Sequence, residues 1–282
     1  RQGVEAGTIA AGIEAFLKSP EFKSLASSTL QLYERHGLAI IQAYGRGTLT
    51  TLKTVHIRKD LATLEAHPSN VRLRVWRKAC RWWVRRGWIE MNPARDVERT
   101  PTPKAVGAKP WTRADFAEFR AHWPIGTPER LTFELLYQTC AAIGDVARLG
   151  PGNLRDGWLV YRRQKTGTEG VSPIVNPPPW LEANISDLMA CLHDAPKHTV
   201  FLTTRHGAAR SAKSAAQWFS AACTKAGLSH LSAHGVRKGR AACFKENGAS
   251  TAQRMAILGH ETEEEATHYA RSADLKRIVL GT

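Results

Sequence analysis

Between Thr100-Pro101-Thr102-Pro103 and Lys109-Pro110 the chain loses all hydrophobic periodicity. Its repeated prolines lack a backbone N–H and fix their own φ, so neither a helix nor a central strand runs through this stretch. The 282 residues are therefore expected to fold as two units, over 1–99 and 111–282, joined by a linker at 100–110. A hydrophobic content of 43% gives each unit material for a core of its own.

The first unit reads as helical throughout. Ile9, Ile13, Phe16 and Leu17 recur at helical spacing, and Ser27 and Ser28 are candidate caps for a run carrying Leu30, Tyr33, Gly37, Ile41 and Tyr44. A third helix is expected over about 54–66 and a fourth over about 69–86. The fourth has two faces. Leu73, Trp76, Cys80 and Trp83 fall on one stripe, while Arg74, Lys78, Arg81 and Arg85 fall on another. A cationic stripe is ordinarily a solvated surface. In a chain of net charge +15 and sequence pI near 10.0, with the excess spread through both halves, it reads instead as a surface for phosphates.

The second unit opens on Thr112 with Asp115 three residues on, a pattern that caps a helix running to about His122. Another helix is expected over about 128–139. The β-prone run from Gly157 to Lys165, the turn-like Thr166-Gly-Thr-Glu-Gly170 and a short apolar run to Val175 predict a β-hairpin with Lys165 near its tip. From Pro179 onward the pattern is helical, apart from a short strand predicted over 199–203.

Composition excludes several classes. The five cysteines are scattered, without a C-x-x-C pair or a metal-ligand cluster, which points to a reducing compartment and away from zinc or redox chemistry. No apolar run approaches the roughly 18 residues of a membrane helix, so a cytoplasmic, nucleoid-associated protein is expected, with no membrane partner. The chain opens on Arg1 rather than Met, which leaves room for a preceding segment.

Three short motifs stand in order near the C-terminus: His234-Gly-Val-Arg237, Leu258-Gly-His260, and Tyr269 nine residues after His260. With the hairpin lysine Lys165 they resemble the tyrosine recombinase (phage integrase) family, in which an H-x-x-R motif opens a helix, L-G-H follows, and a nucleophilic tyrosine comes about nine residues later. The resemblance covers nearly the whole chain. It implies a mainly α fold with a small β-sheet in the catalytic domain, built as a two-domain DNA clamp whose first part is a helical, SAM-like core-binding domain.

The resemblance also implies roles. Tyr269 would attack a DNA phosphodiester and leave a 3′-phosphotyrosine and a free 5′-hydroxyl. Arg237 and His260 would hold the phosphate, His234 would assist proton transfer and binding, and Lys165 would be the general acid. No cofactor is called for. The partner would be double-stranded DNA carrying specific recombination sites, as in mobile genetic elements. Four protomers would assemble on it through a Holliday junction and exchange C-terminal tails, here the apolar cluster Leu275, Ile278, Val279 and Leu280.

One position departs from the family. Its T-G-x-R-x-x-E/D segment, expected on a helix, matches Thr139-Cys-Ala-Ala142-Ile-Gly-Asp145, which keeps the supporting acid Asp145 but places Ala142 where the arginine belongs. Arg148 lies six residues on and would face away from Ala142 on a continuous helix. Loss of that charge predicts impaired cleavage. Alternatives to an active recombinase are an inactive DNA-binding accessory protein on the same scaffold, a type IB-like topoisomerase, and a basic helical RNA-binding protein.

Overall fold

The computed structural model describes residues 6–103, 107–195 and 198–280. The chain divides into two compact units, Arg1–Ala105 and Val106–Thr282.

The first unit contains α1 (Ile9–Lys18), α2 (Pro20–Lys23), α3 (Ser27–Tyr44), α4 (Thr54–Ala62) and α5 (Ala66–Arg85). Ser19 separates α1 from α2: its hydroxyl donates to the Phe16 carbonyl at 2.7 Å and accepts from the Phe22 amide at 3.2 Å. Two expected boundaries differ. Ser27 is the first helical residue of α3 rather than its cap, because Ala26 takes the cap position without a side-chain bond. The third helix stops at Ala62 rather than Ala66, where Thr63 turns its hydroxyl onto the Asp60 carbonyl at 2.7 Å, and Ala66 instead opens α5.

Helix α5 supplies the centre of this unit. Leu73, Trp76, Cys80 and Trp83 are all buried, and the Trp83 indole donates to the Gly12 carbonyl at 3.0 Å. Below them lies a polar knot. The Asp60 carboxylate accepts from Arg72 at 2.9 Å and from the Trp76 indole at 2.7 Å, and Arg72 Nε donates to His36 Nδ1 at 3.2 Å. Burial, reinforced by the Arg72 charge, holds the His36 pKa down to about 4, so the ring stays the neutral acceptor this network needs.

The second unit contains α6 (Arg113–His122), α7 (Pro128–Thr139), α8 (Ile143–Val146), β1 (Leu154–Arg155), β2 (Trp158–Arg162), β3 (Glu169–Pro173), α9 (Ile185–His193), α10 (Ala212–Lys225), α11 (Ala233–Glu246), α12 (Thr251–Leu258), α13 (Glu263–Tyr269) and α14 (Leu275–Leu280). The three strands form one antiparallel sheet in the order β1-β2-β3, with Tyr161 opposite Gly170. Gly170 leaves room for the Tyr161 ring, which any side chain there would strike. The Thr112–Asp115 capping box starts α6. The strand predicted over 199–203 does not form. Thr203 makes only a lone bridge with Ala209, and the Phe201 amide is taken by the Leu149 carbonyl at 2.7 Å, so no ladder is left for a strand to extend.

Two apolar clusters build this unit. Trp111, Phe116, Phe119, Phe133 and Phe219 pack in one, and Leu181, Phe244, Leu258 and Ala270 in the other. Helix α11 contributes to both through Val236 and Phe244. At its C-terminal end the buried Glu246 carboxylate accepts from Arg113 at 3.1 Å with one oxygen and from the Asp274 amide at 2.9 Å with the other. That second bond fixes the point where α14 departs, while Leu275, Val279 and Leu280 on α14 remain exposed.

Candidate active site

The start of α11 places His234 on the surface and Arg237, one turn later, half-buried on the same face. Helix α12 ends at Gly259, whose φ of 64° turns the chain so that His260 comes back towards α11. Helix α13 starts at a Thr262 cap and delivers Tyr269 as its last residue. The three motifs thereby converge. The Tyr269 hydroxyl lies 3.2 Å from His234 Nε2, the His260 ring is 4.5 Å from the Tyr269 ring, and the Arg237 guanidinium is 5.4 Å from the same ring.

Arg237 is fixed from behind. It donates to the Cys140 carbonyl at 2.6 Å and to the Leu258 carbonyl, which ties the ends of α7 and α12 together. Its remaining N–H groups have no partner among the described residues and stay available to a phosphate. The Cys140 carbonyl is aimed there because Cys140 adopts a left-handed conformation at φ 51°, ending α7. Arg163, which no motif in the sequence singles out, plays a matching part: it donates to the carbonyls of Glu169 on β3 and Ile257 on α12, the latter at 3.1 Å. A side chain at position 259 would fall 2.7 Å from its Nη1, and the glycine of Leu-Gly-His is the one sequence signal of this packing.

Lys165 sits in the exposed turn between β2 and β3. The backbone amide of its neighbour Gln164 donates to the buried Asp145 carboxylate at 2.8 Å, so the acid of the departed motif anchors the lysine turn. The Lys165 charge is felt at His234. Burial first, then Arg237, Lys238 and Lys165, hold the His234 pKa below its usual value. Burial and then Arg237, opposed by Glu265, push His260 down to about 4. Both rings are therefore neutral near pH 7. His260 is buried, and both its ring nitrogens are enclosed without a hydrogen-bond partner among the described residues. A tyrosine hydroxyl against a neutral imidazole, beside a pinned guanidinium, can act as a nucleophile on a phosphodiester.

Ala142 does not lie inside a helix as expected. The left-handed turn at Cys140 breaks the segment, and Ala142 is the exposed N-cap of the short α8, with its carbonyl accepting from Asp145 at 2.9 Å. The continuous helix that would turn Arg148 away is thus absent; Arg148 is exposed beyond the end of α8. In the first unit Arg74, Lys78, Arg81 and Arg85 are all exposed and none pairs with an acid among the described residues. Among the described residues no cluster of His, Cys, Asp or Glu could hold a metal ion, and no helix is long and apolar enough to cross a membrane.

Residues 115–276 match the model of the phage integrase family. Over 282 aligned residues the chain is 23% identical to the integrase of Escherichia phage HK022, covering 96% of this chain and 78% of that protein. Its fold is similar to a lambda integrase dimer bound to a COC′ core site, with a TM-score of 0.79 at 18% identity, covering 95% of this chain and 79% of the other. It is also similar to a Tn1549 transposon integrase (residues 82–397, R225K) in complex with a circular intermediate DNA, with a TM-score of 0.69 at 13% identity over 98% of both chains.

Proposed function

The chain belongs to the phage integrase family, and from that we propose that it is a site-specific DNA recombinase that cuts and rejoins strands through a 3′-phosphotyrosine on Tyr269. The observation that carries this reading is the 3.2 Å approach of the Tyr269 hydroxyl to His234 Nε2, with Arg237 and His260 against the same ring.

The step balances on these side chains. The Tyr269 oxygen bonds to phosphorus and passes its proton to the neutral His234; the bond to the 5′-oxygen breaks, and Lys165 gives that oxygen its proton. Arg237 and His260 hold the phosphate oxygens on which charge accumulates. The phosphotyrosine conserves the energy of the broken bond, so religation needs no nucleotide. Asp145 acts only through the turn that carries Lys165.

Ala142 lowers the rate. A preorganised charge donor removed from a developing oxyanion typically costs about 10²–10³ in rate. The four cations on α5 bind backbone phosphates within a core-binding domain of residues 1–99, joined by the linker at 100–110 to the catalytic domain at 111–282. Solved relatives are a lambda integrase dimer on a core site and a lambda integrase tetramer on a Holliday junction. By analogy four copies of this chain assemble on paired duplex sites in the nucleoid and exchange their tails.

The test is a suicide substrate carrying the cognate site. Ala142→Arg should yield a covalent protein–DNA adduct, and Tyr269→Phe in that background should yield none. Adduct that survives Tyr269→Phe rejects the nucleophile. The exposed alanine also favours a second reading, an accessory DNA-binding protein without strand transfer. Under that reading Ala142→Arg stays inert while still binding the site.

A further inference from the structure

Lys238 follows Arg237 on α11 and stands one turn beyond His234. It is only 8% exposed, yet it makes no ion pair or hydrogen bond among the described residues. Its stem is buried while Nζ is not among the buried unpartnered side-chain atoms, so the ammonium reaches the surface at the end of a fixed stem.

Two further observations locate the charge. It lowers the basicity of His234 and, among cations, ranks in that effect behind Arg237 and ahead of Lys165. The ammonium also rests against Gly107, where a Cβ would come within 2.8 Å of Nζ. A glycine at 107 therefore leaves the space that the ammonium occupies. The cation therefore lies against Gly107 and close enough to His234 for its charge to be felt there.

We propose that Lys238 is a further DNA-contacting residue of this site, whose ammonium takes a backbone phosphate beside the one that Tyr269 attacks. This rests on the recombinase reading above. The bound phosphate is the missing counter-charge, and the buried stem fixes the ammonium before DNA arrives, so little side-chain entropy is lost on binding. In a chain with Ala142 in place of an arginine, this cation also supplies positive potential near the reacting phosphate.

The test uses the full chain and duplex DNA carrying the cognate site, titrated over a range of salt. Lys238→Met keeps the stem and removes the charge. It should weaken binding and lower the slope of log affinity against log salt by about 0.9, the value for one neutralised phosphate. A methylphosphonate placed at each phosphate flanking the cleavage point should, at one position only, weaken the parent while leaving Lys238→Met unaffected. An unchanged slope with no such position overturns the proposal. If Lys238→Met loses its cooperative melt, Gly107→Ala decides: its methyl displaces the ammonium without removing charge, and cognate binding should fall several-fold, whereas parental affinity counts against the proposal. A parent that binds duplex DNA but forms no adduct even with Ala142→Arg rejects the recombinase reading separately from the slope result. A parent that binds no duplex DNA rejects both.

Discussion

Nη1 of Arg237 donates to the carbonyl oxygen of Cys140 at 2.6 Å, and the same guanidinium reaches the carbonyl of Leu258. Both carbonyls belong to fully buried residues. Arg237 is thus a structural tie between α7 and α12 as well as a candidate phosphate ligand. Arg237→Ala in an Ala142→Arg background should lower adduct formation by about 10²–10³. It should also destabilise the chain by about 1–3 kcal/mol for each carbonyl left unsatisfied. Adduct kinetics and urea unfolding measure the two losses; near-parental cleavage removes Arg237 from the site.

Gly259 is required twice, by its φ of 64° and by the Arg163 guanidinium that fills the space of a side chain. Gly259→Ala should cost roughly 1–3 kcal/mol through backbone strain and displacement of Arg163. The midpoint of chemical unfolding reads this directly. An unchanged midpoint means that the turn before His260 tolerates a side chain.

How much of the molecule is legible from sequence depends on the range of the interaction. The order His234, Arg237, His260, Tyr269 and the hairpin carrying Lys165 are local patterns, and the structure brings the first four together around one ring. The amphipathic split of α5 is equally readable, because 3.6-residue periodicity fixes which side chains share a face. Pairings between distant segments are not. Arg72 lies two residues from the exposed Arg74, yet it turns inward to Asp60 and His36. Cys140 carries no sign of a left-handed conformation, since that region is ordinarily glycine or asparagine territory, and so the helix expected through Ala142 is wrong. The strand expected over 199–203 fails for a similar reason: β-prone residues need a partner strand, and none lies beside them among the described residues.

The network of Asp60, Arg72 and His36 makes the first unit acid-sensitive. His36 has a folded pKa of about 4, below its usual 6.5. Its neutral form therefore contributes stability that is present above pH 6.5 and is lost as the pH falls towards 4. Urea unfolding followed at about pH 7 and about pH 5 should show a loss of stability that is smaller in His36→Gln, which keeps an acceptor for Arg72 but does not titrate. Equal losses in parent and variant would assign the acid effect elsewhere, His260 being the first candidate.

Arg74, Lys78, Arg81 and Arg85 are exposed and form no salt bridge among the described residues, with only Arg85 close enough for its charge to be felt at Glu21. Replacing all four by alanine should leave the melting temperature near that of the parent and weaken DNA binding, with the salt slope falling by about 0.9 for each phosphate that is no longer neutralised. Unchanged affinity and slope would return this face to the solvent.

Truncation after Ala273 removes the exposed Leu275, Val279 and Leu280 while sparing every residue around Tyr269. Binding to a single half-site should persist, and cooperative loading of paired sites should weaken, as gel-shift titration can show. Cooperative loading by the truncated chain would rule out the tail as the link between protomers.

The bond from the Asp274 amide to Glu246 has a mechanical meaning. It grounds the chain five residues beyond Tyr269, on the far end of the helix whose beginning bears His234 and Arg237. Under the tail-exchange reading, tension applied to α14 would load α11 through Glu246 as well as α13 through the chain. On the recombinase reading, the helix that bears His234 and Arg237 would then register a pull on the tail alongside the helix that ends at Tyr269.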